Sequence, residues 1–245
     1  MKAMILAAGF GTRLGTLTAA KPKALVELAG RPLLEHAITR LKDEGFDEII
    51  INVHHFAEQI IRFIAEKESF GIRIDFSHET DILNTGGGLK KAAHFFDDGQ
   101  SFLLYNTDIL SNIQLQDLKR VHHEKGALVT LAVRERTTSR YFLFDQNRAL
   151  IGWKNVKTGE TLLMRDEPGM EPQALSFMGI HFISPDIFPL LHENGAFSIV
   201  DAYLRLCKEG HKLYGYPADQ CDWLDLGRPE NLQEAEAMLA HRTSS

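Results

Sequence analysis

Apolar positions along the chain keep two periods, and their alternation predicts the architecture before any single residue is considered. Residues 2–8 form a nearly unbroken apolar run of strand length. Residues 32–44 carry Leu33, Leu34, Ala37, Ile38 and Leu41 at helical spacing, with Pro32 at the first turn and Gly45 just past the last. The alternation continues with a strand at 48–53, a helix at 57–68, a strand at 72–77, a helix at 86–96 and a strand at 101–106. A βαβα order of this kind predicts an α/β fold, a Rossmann-like three-layer sandwich whose mixed, mainly parallel central sheet is covered by helices on both faces.

After Thr137 the rhythm loosens. Residues 141–145 and 150–153 read as strands of a hairpin-rich region, with turn residues at Gln146-Asn147 and Thr158-Gly159. Another apolar strand follows at 176–183, and closing helices at 185–192, 199–209 and 229–241. With no repeat and no low-complexity linker, residues 1–245 read as a single domain with an embellished second half.

Charge narrows the possible partners. Lys and Arg number 27 against 33 Asp and Glu, a formal charge of −6, and no basic run offers a patch for nucleic acid or an anionic membrane. No stretch approaches the ~20 apolar residues that span a bilayer. The first apolar run follows a lysine but is too short for a signal peptide, and Gly9, Gly11 and Arg13 stand where a cleavage site would be. Cys207 and Cys221 lack any CxxC spacing and read as reduced thiols, so the expected compartment is the cytoplasm.

The first strand runs into Leu6-Ala7-Ala8-Gly9-Phe10-Gly11-Thr12-Arg13-Leu14. Glycines at this point let backbone N–H groups close on phosphate oxygens, and ligands of parallel sheets sit beyond the carboxyl ends of strands. GxxxxGK[ST] is absent, and GxGxxG fails because its third glycine would fall at Leu14. The second strand ends in Asn52, not in the acid that holds a ribose in dinucleotide sites. What remains is a loop with its own cations: Arg13, able to fork onto phosphate oxygens, and Lys23, a mobile point charge. Together they suit a triphosphate.

Three further places carry candidate chemistry. In the run from Glu79 to Leu89, Thr85 can cap a helix, yet Gly86, Gly87 and Gly88 would each cost such a helix roughly 1 kcal/mol relative to alanine, which points to a flat group lying against bare backbone. Asp108 and Asp225 each follow an apolar run, and Mg²⁺ takes one or two carboxylates together with phosphate oxygens and water. Taken singly, each is equally an ordinary turn aspartate. The pairs His54-His55 and His122-His123 read as surface or loop residues, since neighbours point in different directions and no HExxH or Cys/His cluster is present.

The run LAAGFGTRL, followed by Pro22-Lys23-Ala24-Leu25-Val26 and Ala29-Gly30-Arg31-Pro32-Leu33-Leu34, resembles the sugar-phosphate nucleotidyltransferases, with their LAxGxGTRLxPLT and PKPLxPxxGxPLI signatures. The resemblance continues to near residue 232. It implies the nucleotide-diphospho-sugar transferase type of fold, with a nucleotide-binding half over 1–135, a sugar-binding half over 136–228 and a C-terminal helix over 229–242. It further implies a nucleoside triphosphate and a sugar 1-phosphate as partners, Mg²⁺ as cofactor, and a monomer or small homo-oligomer. Arg13 and Lys23 would hold the triphosphate and stabilise the transition state; Leu6, Ala7, Ala8, Gly9, Gly11, Thr12, Thr85, Gly86 and Gly87 would contact the nucleotide.

Glu79 would stand at the base edge, where an acceptor-only carboxylate suits uracil or guanine. Asn106-Thr107-Asp108 resembles the NGD motif and Trp223 to Gly227 the WxDxG motif, which implies Asp108 and Asp225 as metal ligands and Asn106 and Gly179 as sugar contacts. Thr16, Ala24, Glu27 and Thr107 depart from the family pattern, and Ala24 also occurs in its choline-phosphate cytidylyltransferase branch. The segments ETDILNTGGG, NTDI and DWLDLG are similar to the branch that acts on N-acetylmuramate 1-phosphate with UTP. Heptose or mannose 1-phosphate guanylyltransferases, and a non-catalytic member that binds sugar nucleotide and regulates a partner, are the alternatives.

Overall fold

The computed structural model describes residues 1–165 and 171–243. These fall into two compact units: segments 1–83, 105–112 and the described part of 222–245 make the first, and 84–104 with the described part of 113–221 make the second.

In the first unit the apolar run at the start of the chain becomes the strand Lys2–Leu6, with Ala3, Met4 and Ile5 fully buried. It pairs in parallel with Glu48–Val53, and that strand pairs in parallel with Arg73–His78. The all-apolar centre of Glu48–Val53 is what a strand covered on both faces requires. The helix Leu33–Asp43 buries Leu33, Leu34, Ala37, Ile38 and Leu41, the stripe expected from their spacing, and Gly45 follows it at φ 83°. Ala57–Glu66 is the second helix and buries Ile60 and Ile64.

A separate apolar cluster joins elements far apart in sequence: Leu14, Val26, Leu28, Leu33, Leu110, Leu226, Leu232 and Ala235. It gathers the short ribbon Glu27–Leu28/Arg31–Pro32, the antiparallel pair Ile109–Ser111/Trp223–Asp225 and the C-terminal helix Pro229–Thr243. This packing fixes the backbone on which the charged side chains of the site stand.

The second unit is mixed. Val129–Arg134 pairs antiparallel with Gln173–Ile183 and parallel with Leu213–Pro217. Gln173–Ile183 also meets Arg140–Phe144, which continues antiparallel into Leu150–Asn155 and then Glu160–Leu163, the two hairpins that the turn residues signalled. Its helices are Asn84–Lys91, Leu115–Lys125 and Ile199–Lys208. Parallel strands in one unit and mixed pairing in the other fit the α/β class read from the chain. Among the described residues no helix is long and apolar enough to cross a membrane.

Several differences from the sequence reading have physical causes. Leu115–Lys125 was not anticipated because its buried stripe is thin, only Leu115, Leu118 and His122. Residues 185–192 form a 3-10 helix, Pro185–Leu190, since Pro189 cannot donate to an α-helical ladder. His122 is not a surface histidine: it is 2% exposed, with Nδ1 on Thr130 Oγ1 at 3.1 Å and Nε2 on Ser101 Oγ at 3.2 Å, and burial pushes its pKa down to about 4.

Leu28 is fully buried in the cluster that carries the charged groups. Leu28→Ala should therefore cost about 2–5 kcal/mol of unfolding free energy, read by urea titration, because the gap it leaves is bounded by several elements that cannot all relax into it.

Candidate active site

The three parallel strands of the first unit end at one edge, with Leu6 in register with Asn52 and Asn52 with Ser77. Chain leaving that edge is where a ligand of a parallel sheet belongs. Ala7 N–H donates to Asn52 Oδ1 at 2.7 Å, and Asn52 Nδ2 donates to Glu79 Oε1 at 2.7 Å. The other carboxylate oxygen of Glu79 accepts from Leu83 N–H at 2.8 Å. Glu79 N–H donates to Val53 O at 2.8 Å, and His54 Nδ1 lies 2.8 Å from Glu79 O. Both Asn52 and Glu79 are buried, 3% and 5% exposed. The carboxylate expected at a base edge therefore has protein partners on each oxygen and braces the loop at 79–83 against the strand ends. Sequence reasoning did not select Asn52; its one signal was a polar residue following the apolar run Ile49 to Ile51.

The glycine loop bends at Gly11, φ 66°, where Leu14 N–H returns to Gly11 O at 2.9 Å and opens the 3-10 turn Thr12–Thr18. A Cβ at Gly11 would lie 2.8 Å from Lys23 Cβ and 3.0 Å from Thr18 Cγ2. Bare backbone here lets the lysine stem lie against the loop. Leu6, Ala7 and Ala8 enter the loop from the strand with little exposure, while Gly9, Thr12 and Arg13 carry it outward.

Lys23 reaches Asp108 and forms an ion pair with its Oδ2. Asp108 and Asp225 come from the facing ends of the Ile109–Ser111/Trp223–Asp225 pair, in which Ile109 is opposite Asp225, and Leu226 N–H donates to Asp108 O at 2.8 Å. Gly227 N–H donates to Asp225 Oδ1 at 2.8 Å, and Arg13 stands 3.6 Å from Asp225 Oδ2. Two cations and two carboxylates thus sit together, with the Lys23 and Asp108 side chains 16% and 13% exposed.

The two acids are driven apart in proton affinity. Burial pushes Asp108 up against the opposing charge of Lys23, and the neighbouring Asp225 pushes it further. Asp225 feels burial too, but the Gly227 N–H, the Arg13 charge and its hydrogen bond with Asp108 bring it below the usual carboxylate range. This is the behaviour of carboxylates close enough to compete for one proton. Such an oxygen-only donor pair fits Mg²⁺, which completes its shell with phosphate oxygens and water.

The remaining expected residues divide between the units. Asn106 ends the strand Phe102–Asn106, next to Thr107, whose N–H donates to Leu6 O at 3.3 Å. Thr85, Gly86 and Gly87 lie in the second unit, within the helix Asn84–Lys91. There Thr85 Oγ1 accepts from Ile199 N–H at 3.0 Å, and Gly86 N–H donates to Phe197 O at 3.0 Å. A Cβ on Gly86 would fall 2.3 Å from the Phe197 ring, so that glycine has a packing reason for being bare. Gly179, φ 78°, sits in the register shift between Phe177 and His181, a bulge in the long strand Gln173–Ile183.

Comparison with known proteins adds to this geometry. The nucleotidyl transferase family model matches residues 2–242. The N-acetylmuramate alpha-1-phosphate uridylyltransferase of Caulobacter vibrioides is 32% identical over 97% of this chain and 96% of its own length. The UTP–glucose-1-phosphate uridylyltransferase of Synechocystis is 30% identical over 98% of this chain, which spans 64% of that relative. Among solved structures, HddC from Yersinia pseudotuberculosis complexed with GMP-PN superposes with a TM-score of 0.76 at 21% identity, over 97% of this chain and 99% of that one. At that identity the likeness establishes the fold.

The raised proton affinity of Asp108 makes a stability prediction. The folded state holds this proton more tightly than the unfolded chain, so the carboxylate's contribution becomes less favourable as pH rises above its ordinary 3.8. Asp108→Asn, which lacks this titrating group, should therefore lose less stability than the parent protein as pH rises from about 4 to 7. Thermal unfolding across that range reads it.

Proposed function

Because the chain belongs to the nucleotidyl transferase family, we propose that it moves a nucleotidyl group from a nucleoside triphosphate to a sugar 1-phosphate and releases pyrophosphate. The observation that carries this reading is the charge cluster: Lys23 on Asp108 and Arg13 on Asp225, beside a glycine loop at the carboxyl edge of parallel strands. Cations next to backbone N–H groups suit a triphosphate, and a carboxylate pair suits the divalent ion that accompanies one. Asp108 and Asp225 would hold Mg²⁺, which supplies charge neutralisation on the phosphates.

The chemistry needs no protein nucleophile. Arg13 and the loop N–H groups orient the α- to γ-phosphates so that a sugar phosphate oxygen can approach the α-phosphorus in line. As that P–O bond forms, the bond to the bridging oxygen of the β-phosphate breaks, and pyrophosphate departs with the electron pair. Lys23 then balances the charge gathering on the leaving group, the usual task of a lysine in phosphoryl chemistry. Asn106 and Gly179 are our candidates for sugar contacts, and Thr85, Gly86 and Gly87 for further nucleotide contacts.

UTP is the favoured nucleotide. Glu79 is acceptor-only, and the lone pairs left beyond Asn52 and Leu83 suit an N–H of uracil better than cytosine N3 or adenine N1. The likeness to the Caulobacter uridylyltransferase over nearly both full lengths supports the same choice and makes N-acetylmuramate 1-phosphate, a cell-wall sugar, our candidate acceptor. Guanine offers Glu79 a similar N–H edge, and a protein of this fold was crystallised with GMP-PN, so a GTP-dependent guanylyltransferase is the second reading. The composition fits a cytoplasmic setting for either.

Pyrophosphate release with Mg²⁺, crossing UTP, GTP, CTP, dTTP and ATP with a panel of sugar 1-phosphates and phosphocholine, tests the proposal. Release with UTP and one sugar phosphate is expected; release only with CTP and phosphocholine, or tight sugar-nucleotide binding without any release, would overturn it. In the active pair Lys23→Ala should lower kcat by about 10²–10³, the usual loss of one preorganised charge donor, while circular dichroism stays that of the parent protein.

A further inference from the structure

We propose that Asn52 is a positioning residue for nucleotide selection: a buried amide that sets the spacing between the phosphate loop and the loop carrying Glu79. The inference rests on the nucleotidyl transfer reading above and concerns a residue that touches no substrate.

The geometry is specific. Asn52 is the penultimate residue of the strand Glu48–Val53, and its register against Leu6 on one side and Ser77 on the other leaves its backbone no freedom along the strand. Its Oδ1 accepts from Ala7, the first residue of the glycine loop, at 2.7 Å, and its Nδ2 donates to Glu79 at 2.7 Å. One side chain therefore ties the phosphate loop to the base-loop carboxylate. Leu83 N–H on the second Glu79 oxygen and Glu79 N–H on Val53 O then leave that carboxylate one orientation.

Residue chemistry at this position is tightly constrained. A backbone N–H offers only a donor and a carboxylate only acceptors, so the bridge needs a group with one acceptor and one donor at fixed separation. Asparagine provides both at this length. Aspartate would set one carboxylate against another, and alanine would leave Ala7 N–H and Glu79 Oε1 without their partner in a place that is 3% to 5% exposed. The same logic fixes which end of the amide is oxygen.

The consequence is selectivity more than turnover. Lys23, Arg13, Asp108 and Asp225 do not bond to Asn52 among the described contacts, and of the phosphate loop Asn52 holds only the Ala7 N–H at its start, so these four side chains keep their places when it changes. What shifts is Glu79 relative to the loop, and a base is discriminated by whether an acceptor meets its N–H at hydrogen-bond distance. A displacement of a few tenths of an ångström is enough to lose that.

The test uses the full chain with Asn52→Ala and Asn52→Asp at pH 8. For each, kcat and KM are measured for the preferred triphosphate and for CTP, with nucleotide affinities by calorimetry and thermal midpoints alongside. We expect the kcat/KM ratio of preferred nucleotide to CTP to fall about tenfold, the worth of one buried hydrogen bond to a charged group. The loss should lie in KM for the triphosphate, with kcat and KM for the sugar phosphate within about threefold of the parent, as for removal of uniform ground-state binding. An unchanged ratio, or an equal loss for every triphosphate in step with a lower thermal midpoint, overturns the inference. Asn52→Asp is nearly isosteric and keeps the Ala7 acceptor, so it carries the test if the alanine variant does not fold. A parent protein that binds nucleotide without releasing pyrophosphate would remove the transfer reading alone, since calorimetry still reports whether Asn52 governs the affinity ratio.

Discussion

The pairing of Lys23 with Asp108 is the constraint around which the charged side chains of the site are arranged. Two carboxylates on adjoining strand ends repel, and neither is fully hydrated, with Asp108 at 13% side-chain exposure and Asp225 at 30%. A cation has to be supplied to each. Lys23 comes from a 3-10 turn whose approach depends on the missing side chain at Gly11, and Arg13 from the loop itself. The apolar cluster of Leu14, Val26, Leu28, Leu110 and Leu226 then holds together the segments that bear these charges. Burial of that cluster offsets the cost of gathering four charged groups, since a half-buried ion-pair cluster contributes little net stability of its own.

The glycine loop and the loop at 79–83 are held by different physics. Charge and close backbone approach fix the first; directional hydrogen bonds through Asn52 and Glu79 fix the second. Screening by salt weakens partly exposed pairs such as Arg13–Asp225, at 53% and 30% exposure, far more than it weakens the buried amide bridge. On the proposed reading, nucleotide selection would rest on the part of the site least sensitive to solution conditions, and charge balance around the phosphates on the part most sensitive to them.

Much of this was legible in the chain because it is local. The apolar runs and the amphipathic stripe of Leu33 to Leu41 depend on neighbours in sequence, and the strands and helices of the first hundred residues fall within a few positions of their expected bounds. Lys23 and Asp108 both lie in motifs legible in the chain and meet although 85 residues apart, as do Arg13 and Asp225. What the chain did not reveal needs a partner distant in sequence. Glu79 reads from the sequence as an acceptor-only carboxylate, and nothing nearby tells that Asn52, 27 residues away, occupies one of its oxygens. Gly86 reads as backbone bared for a ligand, and nothing near it in sequence tells that Phe197 also fills the space where its Cβ would be. His122 gave the same single-letter signal as an exposed histidine, and only Ser101 and Thr130 beside it explain its burial.

On the proposed reading, Glu79 also illustrates why an acceptor that is already hydrogen-bonded can select better than a free one. An exposed glutamate samples many rotamers and swings to meet whatever donor arrives, so its discrimination is small and its ordering cost is met at binding. Bonded to Asn52 and Leu83, the carboxylate has lost that freedom during folding, and its remaining lone pairs point in fixed directions. A base that presents an N–H there gains a bond without further ordering, while one that presents an acceptor faces a group that cannot turn away. If Glu79 meets the base as proposed, the amide of Asn52 thereby turns a permissive side chain into a selective one.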